Sequence, residues 1–329
     1  MYHTIFVFDD EINTNKIFKG GDSYYKLCLL KLNFIKIISF QDLEDRYFNC
    51  KNLLISCYKD LLKFNDFIMN NNKLNLIKNV NIFLFRMGSI HESCIDLKFK
   101  YNIISTYSYA LNIYFNNYNN NYWVPYMLRY NVKYNNNPIN KVLVTGAKNK
   151  KVYPNRHIMM EKSLINSNII YTKRPYLFDA NNIDENNLFG INYIKLLSNY
   201  LICFTDESND NRPYLVAKFF EIMSSGALLL TTNKITKKYF QKLGFIDGIH
   251  YISTTIEDID EKIDYLLNEK NRKLIDEIRT NGYNEVYKYH TIEHRTKQLD
   301  DILNNRTEKF TLYDDGIRDT KYYMYKRTK

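Results

Sequence analysis

The chain has 329 residues, of which 45% are hydrophobic and only 10 are Gly and 5 Pro. That length and composition suit two ordinary domains with real cores and exclude a linker or a low-complexity chain. The formal net charge is +10, which admits nucleic acid, anionic membrane or phosphorylated ligands, but the basic residues are scattered among acidic ones rather than grouped in a stripe, so nucleic acid is not expected as a partner.

The first half alternates short apolar runs with helical periodicity. Residues 4–8 (TIFVF) predict a strand, and Gly20-Gly21-Asp22 precedes a periodic stretch, 24–32, that predicts a helix. Further strands are predicted at 35–40, 52–57, 80–85 and 101–105. They are short and almost wholly apolar, as strands buried on both faces of a parallel sheet must be. Trp123-Val124-Pro125 closes this half, and the Asn-rich stretch 130–140 (YNVKYNNNPIN) marks the expected boundary, with a first domain over 1–135.

The pattern then restarts. Strand 141–145 (KVLVT) runs into Gly146, a helix is predicted over 156–166, strands at 168–172 and 201–205, and a helix at 193–198. Residues 218–232 (KFFEIMSSGALLLTT) read as an amphipathic helix, a glycine stop and a buried strand, with Lys218 and Glu221 three residues apart on one helix face. A short strand at 250–253 and helices at 256–269, 272–288 and 291–302 complete a second domain over 136–305. The tail, 306–329, is basic and aromatic, a candidate for peripheral contact with an anionic membrane. Alternation of strands and helices in both halves predicts an α/β protein with two Rossmann-like domains, with ligands expected at the carboxyl ends of the strands.

The five cysteines (Cys28, Cys50, Cys57, Cys94, Cys203) form no C-x-x-C and sit mostly in apolar runs. They read as buried thiols of a reducing compartment. The opening YHTIFVFDDEIN turns acidic after one strand, so no leader is expected, and no apolar run approaches 18 residues. A cytoplasmic setting is the expectation. The abundance of Asn, Lys, Ile and Tyr reads as codon bias of an AT-rich genome, such as that of a large DNA virus (the setting then being the host cytoplasm), a parasite or a low-GC bacterium.

Four segments carry a resemblance: GGDSYYKLCLLKLNFIKIISF, VLVTGAKNKKVYPNR, FTDESNDNRPYLVAKFFEIMSSGALLLTT and HTIEHR. In this order they resemble glycosyltransferases of the GT-B fold, in the group-1 clan, with the spore-maturation CgeB-like group as the nearest pattern. The resemblance implies transfer of a sugar from a nucleotide-diphosphate donor, UDP- or GDP-linked, to a hydroxyl of a glycan, protein or lipid-linked acceptor. It implies no cofactor and no metal.

The resemblance also implies roles. Glu221 would hold the donor ribose, an ordinary solvated glutamate being the alternative. Tyr214 stands where many relatives keep a sugar-facing glutamate, and Asp206 or Glu207, after the strand LICFT, would substitute for it. Lys218 would meet donor phosphate. Phe204, Glu207, Tyr214 and Lys218 also echo the F-E-N … Y-x-x-E-K pattern of fucosyltransferases that use GDP-fucose. Arg156 and Lys148, beyond Gly146, would neutralise the diphosphate, with Arg212 beside them on the donor side. Pro213 is expected near a helix start whose free amides face the donor. Gly20 and Gly21 would allow close backbone approach. His91, after the strand VNIFLF, is a candidate base. Retention follows from the clan and inversion from the fucosyltransferase echo. A non-catalytic sugar- or nucleotide-binding protein that keeps the fold is the alternative, prompted by Tyr214.

His290, Thr291, His294 and Arg295 read as capping and packing, and Asp258-Ile259-Asp260 as an acidic helix start rather than a metal site.

Overall fold

The structure, a computed structural model, describes residues 3–8, 28–29, 31–32, 35–39, 42–55, 58–86, 99–105, 118–128, 130–146, 149–173, 190–207, 215–232, 237–306 and 324–326. The chain forms two compact units. The described residues up to 125, with 293–306 and 324–326, make the first; residues 126–292 make the second. This differs from the division expected from composition. The divide falls ten residues earlier than the expected boundary at 135, and the last long helix belongs with the first unit rather than the second.

The first unit is built on seven strands: β1 (Thr4–Phe8), β2 (Ile35–Ser39), β3 (Asn52–Ile55), β4 (Asn81–Arg86), β5 (Tyr101–Ser105), β6 (Tyr118–Trp123) and β12 (Met324–Lys326), in the spatial order β12-β6-β5-β4-β3-β1-β2. All neighbours are parallel except β12, which runs antiparallel along β6. The register sets Phe6 opposite Leu54, and Leu54 opposite Phe83. Ile5, Val7, Leu53, Ile55 and Leu84 pack on one face with Leu61, Phe64 and Ile68 of helix α1 (Tyr58–Asn70). Those three recur at spacings of three and four, the stripe an amphipathic helix presents to a sheet. Strand β6 has the sequence YNNNYW. Asn is a poor strand former, so pattern reading missed it; pairing along β5 organises it instead.

The second unit carries β7 (Ile139–Thr145), β8 (Ile169–Thr172), β9 (Tyr200–Phe204), β10 (Leu228–Thr231) and β11 (Ile252–Ser253), all parallel, in the order β11-β10-β9-β7-β8. Helices α2 (Pro154–Lys162), α3 (Gly190–Ser198), α4 (Ala217–Ser224), α5 (Lys237–Lys242), α6 (Ile259–Leu267) and α7 (Arg272–Tyr289) connect and cover them. Val142, Val144, Ile202, Phe204, Leu228 and Leu230 form the sheet side of one core, and Met159, Ile263 and Ile275 the helix side.

Helix α4 stops where the sequence says it must. Gly226 takes φ +80°, its N–H donates to the Met223 carbonyl, and Ser225 N–H donates to Glu221 O. A Cβ there would lie 2.8 Å from the Tyr134 ring, so left-handed backbone and close approach both demand glycine. Helix α7 passes so close to the chain at His250 that a Cβ on Gly282 would sit 2.4 Å from the His250 carbonyl oxygen.

Helix α8 (Ile292–Leu303) closes the first unit. Arg295 is fully buried there and donates through Nε to Pro125 O at 2.9 Å. Asn52 donates through Nδ2 to Leu303 O at 2.8 Å, satisfying one orphan carbonyl at the end of α8. In the second unit, His290 is buried at the end of α7, stacked on Phe245 with Nε2 3.1 Å from Leu243 O. Asp258 precedes α6 and Asp260 pairs with Lys162 at 2.5 Å. Cys28, Cys50 and Cys203 are free and buried; burial pushes Cys28 up to about 12 and Cys50 to about 11, which keeps both as thiols at neutral pH.

Candidate functional site

In the second sheet the chain leaves β7 for β8 on one side, and leaves β9 for β10 on the other. The strand order therefore reverses between β7 and β9. In an open parallel sheet this reversal leaves a crevice at the strand carboxyl ends, because successive crossovers depart to opposite sides. Helices that follow those strands also start there, so their unpaired N–H groups and positive dipole ends gather on the same side.

Several buried polar residues of this unit gather at that place. Thr145 ends β7, Thr205, Asp206 and Glu207 follow β9, and Thr231 and Thr232 end β10. Gly146 follows Thr145 with φ +125°. A Cβ on Gly146 would lie 2.5 Å from Lys218 Nζ and 3.0 Å from Arg156 Nη1. Two cations therefore converge on one glycine, where a side chain would displace them.

Arg156 comes from the first turn of α2, which opens with Pro154 at a position where a missing N–H costs nothing. The side chain is only 3% exposed. Asp206 Oδ2 accepts the Arg156 backbone N–H at 3.1 Å, and Oδ1 lies 3.3 Å from Arg156 Nη2. Nη2 also donates to Thr205 Oγ1 at 3.3 Å. The Tyr153 ring sits 3.8 Å from the guanidinium carbon, a cation–π stack. Arg156 Nε is buried with no hydrogen-bond partner among the described residues. Burial raises the Asp206 carboxyl above its ordinary value, and the Arg156 charge opposes that rise.

Lys218 is the second residue of α4 and is 7% exposed, which rules out a solvated helix lysine. Its Nζ donates to Thr145 O at 2.7 Å. Thr145 is anchored in turn, its Oγ1 lying 2.6 Å from Tyr193 OH. Tyr171 OH donates to Gly146 O at 3.3 Å, and Asn155 Nδ2 to Thr232 Oγ1 at 2.8 Å. Glu221 lies one turn beyond Lys218 and is also buried, as is Glu207. The solvated-glutamate alternative for Glu221 therefore fails.

Of the residues singled out in the sequence, Gly146, Arg156, Asp206 and Lys218 meet in space, and Glu207 and Glu221 flank them. Gly20, Gly21, His91, Lys148, Arg212, Pro213 and Tyr214 lie outside the described residues. Pattern reading missed Thr145, Tyr153, Thr205 and Tyr193. Tyr153 alone left a signal, an aromatic three residues before the arginine in YPNR. The threonines hold their places through pairings between distant segments and left none.

Chemically, the cluster offers a buried guanidinium and ammonium beside a glycine, at the start of two helices. That arrangement suits a multiply charged oxyanion such as a phosphate or diphosphate.

Residues 161–301, less than half of the chain, match a family model described as glycosyl transferase-like. No curated protein matches the sequence. The fold resembles TarM (TM-score 0.54, 14% identity, 84% of this chain), of which this chain spans only 57%. It also resembles a glycosyltransferase from Rickettsia africae ESF-5 (TM-score 0.54, 11% identity, 93% of this chain and 99% of that one). A third similar structure is Anabaena HepE in complex with UDP and glucose (TM-score 0.52, 8% identity, 92% of this chain and 100% of that one). At these identities the likeness is one of fold: two Rossmann-like units in one chain, the GT-B fold.

Proposed function

We propose that this chain is a glycosyltransferase, moving a sugar from a nucleoside-diphosphate donor to an acceptor hydroxyl. The observation that carries this reading is the convergence of Arg156 and Lys218 on Gly146 at the strand-order reversal. The family match over 161–301 supports it.

The chemistry follows from charge. The bond between the sugar's anomeric carbon and the donor phosphate oxygen breaks, and the acceptor oxygen bonds to that carbon and gives its proton to a general base. Negative charge accumulates on the departing diphosphate. Buried, pre-aimed cations stabilise that charge without reorganising at the moment of reaction. On this reading Arg156 and Lys218 supply the positive charge, and the transfer is metal-independent. Glu221, one helix turn from Lys218, accepts from the ribose hydroxyls, since a carboxylate can take two O–H donors at once. The UDP and glucose held by Anabaena HepE favour a UDP-linked hexose, with a GDP-linked sugar as the second candidate. The acceptor class is a glycan, protein or lipid-linked hydroxyl.

A thermal-shift screen over UDP, GDP, ADP, dTDP and CMP tests this directly. A ligand that binds only the folded state at 100 times its Kd adds about 2.7 kcal/mol of stability. A shift with one nucleoside diphosphate, lost in a folded Glu221→Ala variant, is the expected result; no shift with any of them overturns the reading. The second reading, a binding protein that keeps the fold, rests on Tyr214 in place of a glutamate. It predicts the same shift with no turnover of the matching nucleotide sugar.

A further inference from the structure

We infer that Asp206 is a positioning residue, not a proton acceptor: it aims the Arg156 guanidinium at the diphosphate, joining the starts of two βα crossovers into one anion site. This rests on the glycosyltransferase reading above.

Three observations carry the inference. First, Asp206 is 1% exposed, so its carboxylate is turned into the protein rather than presented at a surface. A candidate base must come within hydrogen-bond reach of the proton it takes. Secondly, both carboxylate oxygens face one residue: Oδ2 takes the Arg156 backbone N–H at 3.1 Å and Oδ1 lies 3.3 Å from Nη2. Arg156 is the third residue of α2, and its N–H is an orphan of the first turn. Tyr153, the cap residue, makes no side-chain capping hydrogen bond to the helix. Asp206 thus caps α2 from a different strand end and holds the side chain of the same residue. Thirdly, the guanidinium is clamped on three sides, by Tyr153 on its face, Thr205 at Nη2 and Asp206 beside it, with Nη1 left towards Gly146. A flexible arginine loses rotamer entropy when it binds an anion; one already fixed loses less.

The arrangement explains why the β9 carboxylate belongs at this position. Without Asp206, Arg156 keeps its charge but loses its aim, so binding of the second phosphate should suffer while the rest of the ligand binds as before.

The test is a double-mutant cycle with UDP, UMP, GDP and GMP as probes. Their affinities are measured by calorimetry for wild type, Asp206→Asn, Arg156→Ala and the double variant, with each melting temperature as the folding control. Asp206→Asn keeps an oxygen for the Arg156 N–H and removes the charge, so the cap on α2 is retained. The expected result is a fall of about tenfold in the diphosphate-over-monophosphate preference for Asp206→Asn, and no further fall when it is added to Arg156→Ala. Asp206→Glu, with the charge restored, should recover part of the preference. In turnover of the matching nucleotide sugar, KM should rise with kcat reduced but not abolished, and the pH dependence of kcat should keep its acidic limb, where a general base becomes protonated.

An unchanged preference in Asp206→Asn, or an equal loss in the Arg156→Ala background, overturns the inference while leaving the transferase reading intact. Loss of the acidic limb of kcat with unchanged binding would make Asp206 the base and overturn it also. Wild-type protein that binds none of the four probes defeats the underlying reading itself.

Discussion

The two sheets share a strand order, with a reversal between the first and third strands of each; among the described residues, buried polar groups open β1 and β3 in the first sheet and close β7, β9 and β10 in the second. In the first unit Thr4, Asn52 and Asn81 begin β1, β3 and β4. Asn52 donates to Thr4 Oγ1 and to Leu303 O, and Asn81 donates to Asn52 Oδ1. In the second unit Thr145, Thr205, Asp206 and Thr231 lie at the carboxyl ends. The difference follows from helix polarity. A helix crossing back over a parallel sheet starts near the carboxyl ends and finishes near the amino ends. Amino ends therefore meet helix carbonyls, which want donors such as the Asn52 amide. Carboxyl ends meet helix N–H groups, which favour anions. One unit uses a polar edge to fasten the chain's own helix α8; the other gathers two buried cations beside Gly146.

Breaking the ligand edge should have the largest effect. Replacing both Arg156 and Lys218 by Ala should lower donor turnover by roughly 10²–10³-fold, the scale for a lost transition-state donor, as read by kcat on the matching nucleotide sugar. The fastening edge should respond in stability alone. Asn52→Ala leaves the Leu303 carbonyl without its buried donor and should cost about 1–3 kcal/mol in urea unfolding, with nucleotide affinity unchanged. Loss of affinity in that variant would erase the distinction between the edges.

Gly146→Ala sharpens the same contrast. The strained φ and the 2.5 Å approach to Lys218 Nζ should weaken nucleoside-diphosphate binding by about tenfold, or ~1.4 kcal/mol. Because the flexible end of Lys218 can yield, the melting temperature should fall only modestly.

The smallest effect is in pH. His294 and His3, both in the first unit, have pKa values lowered from 6.5, chiefly by burial. The unfolded chain therefore takes up their protons first as pH falls through about 6.5. In the window below 6.5 and above the folded values, the unfolded state binds more protons, so stability drops on acidification. Asp206 in the second unit has the opposite sign. Its folded pKa is raised above 3.8 by burial, so between 3.8 and that higher value its contribution to stability falls as pH rises. Chemical denaturation followed by probes in each unit should show the first unit losing stability on mild acidification, and His294→Gln should flatten its slope.

Several strands were legible because their physics is local. TIFVF, KVLVT and LICFT are short β-branched or aromatic runs with no polar interruption, and each lies in a buried parallel strand. The stop at Gly226 was legible because left-handed backbone favours glycine. The Asn-rich strand β6 was not, since its order comes from pairing with β5. The assignment of α8 to the first unit was not either, because that rests on Arg295 reaching Pro125 and Leu303 reaching Asn52, contacts between segments far apart in the chain. At the site, the residue types of Arg156, Lys218, Glu221 and Asp206 could be picked out by resemblance, but their burial could not.

Amino-acid order by itself determined the α/β class, the two-unit plan and the helix–glycine–strand unit at 218–232, because periodicity, composition and glycine conformation act within a few residues. Only the tertiary structure decided that Lys218 is buried against Thr145, that Arg156 stacks on Tyr153, and that both meet at Gly146. Partners separated by tens of residues are chosen by the order of strands in the sheet, and that order is set by how whole faces pack. Asp206 shows the limit most clearly: its position after β9 marked it as a carboxylate near the site, and only the tertiary structure shows it buried with both oxygens towards Arg156.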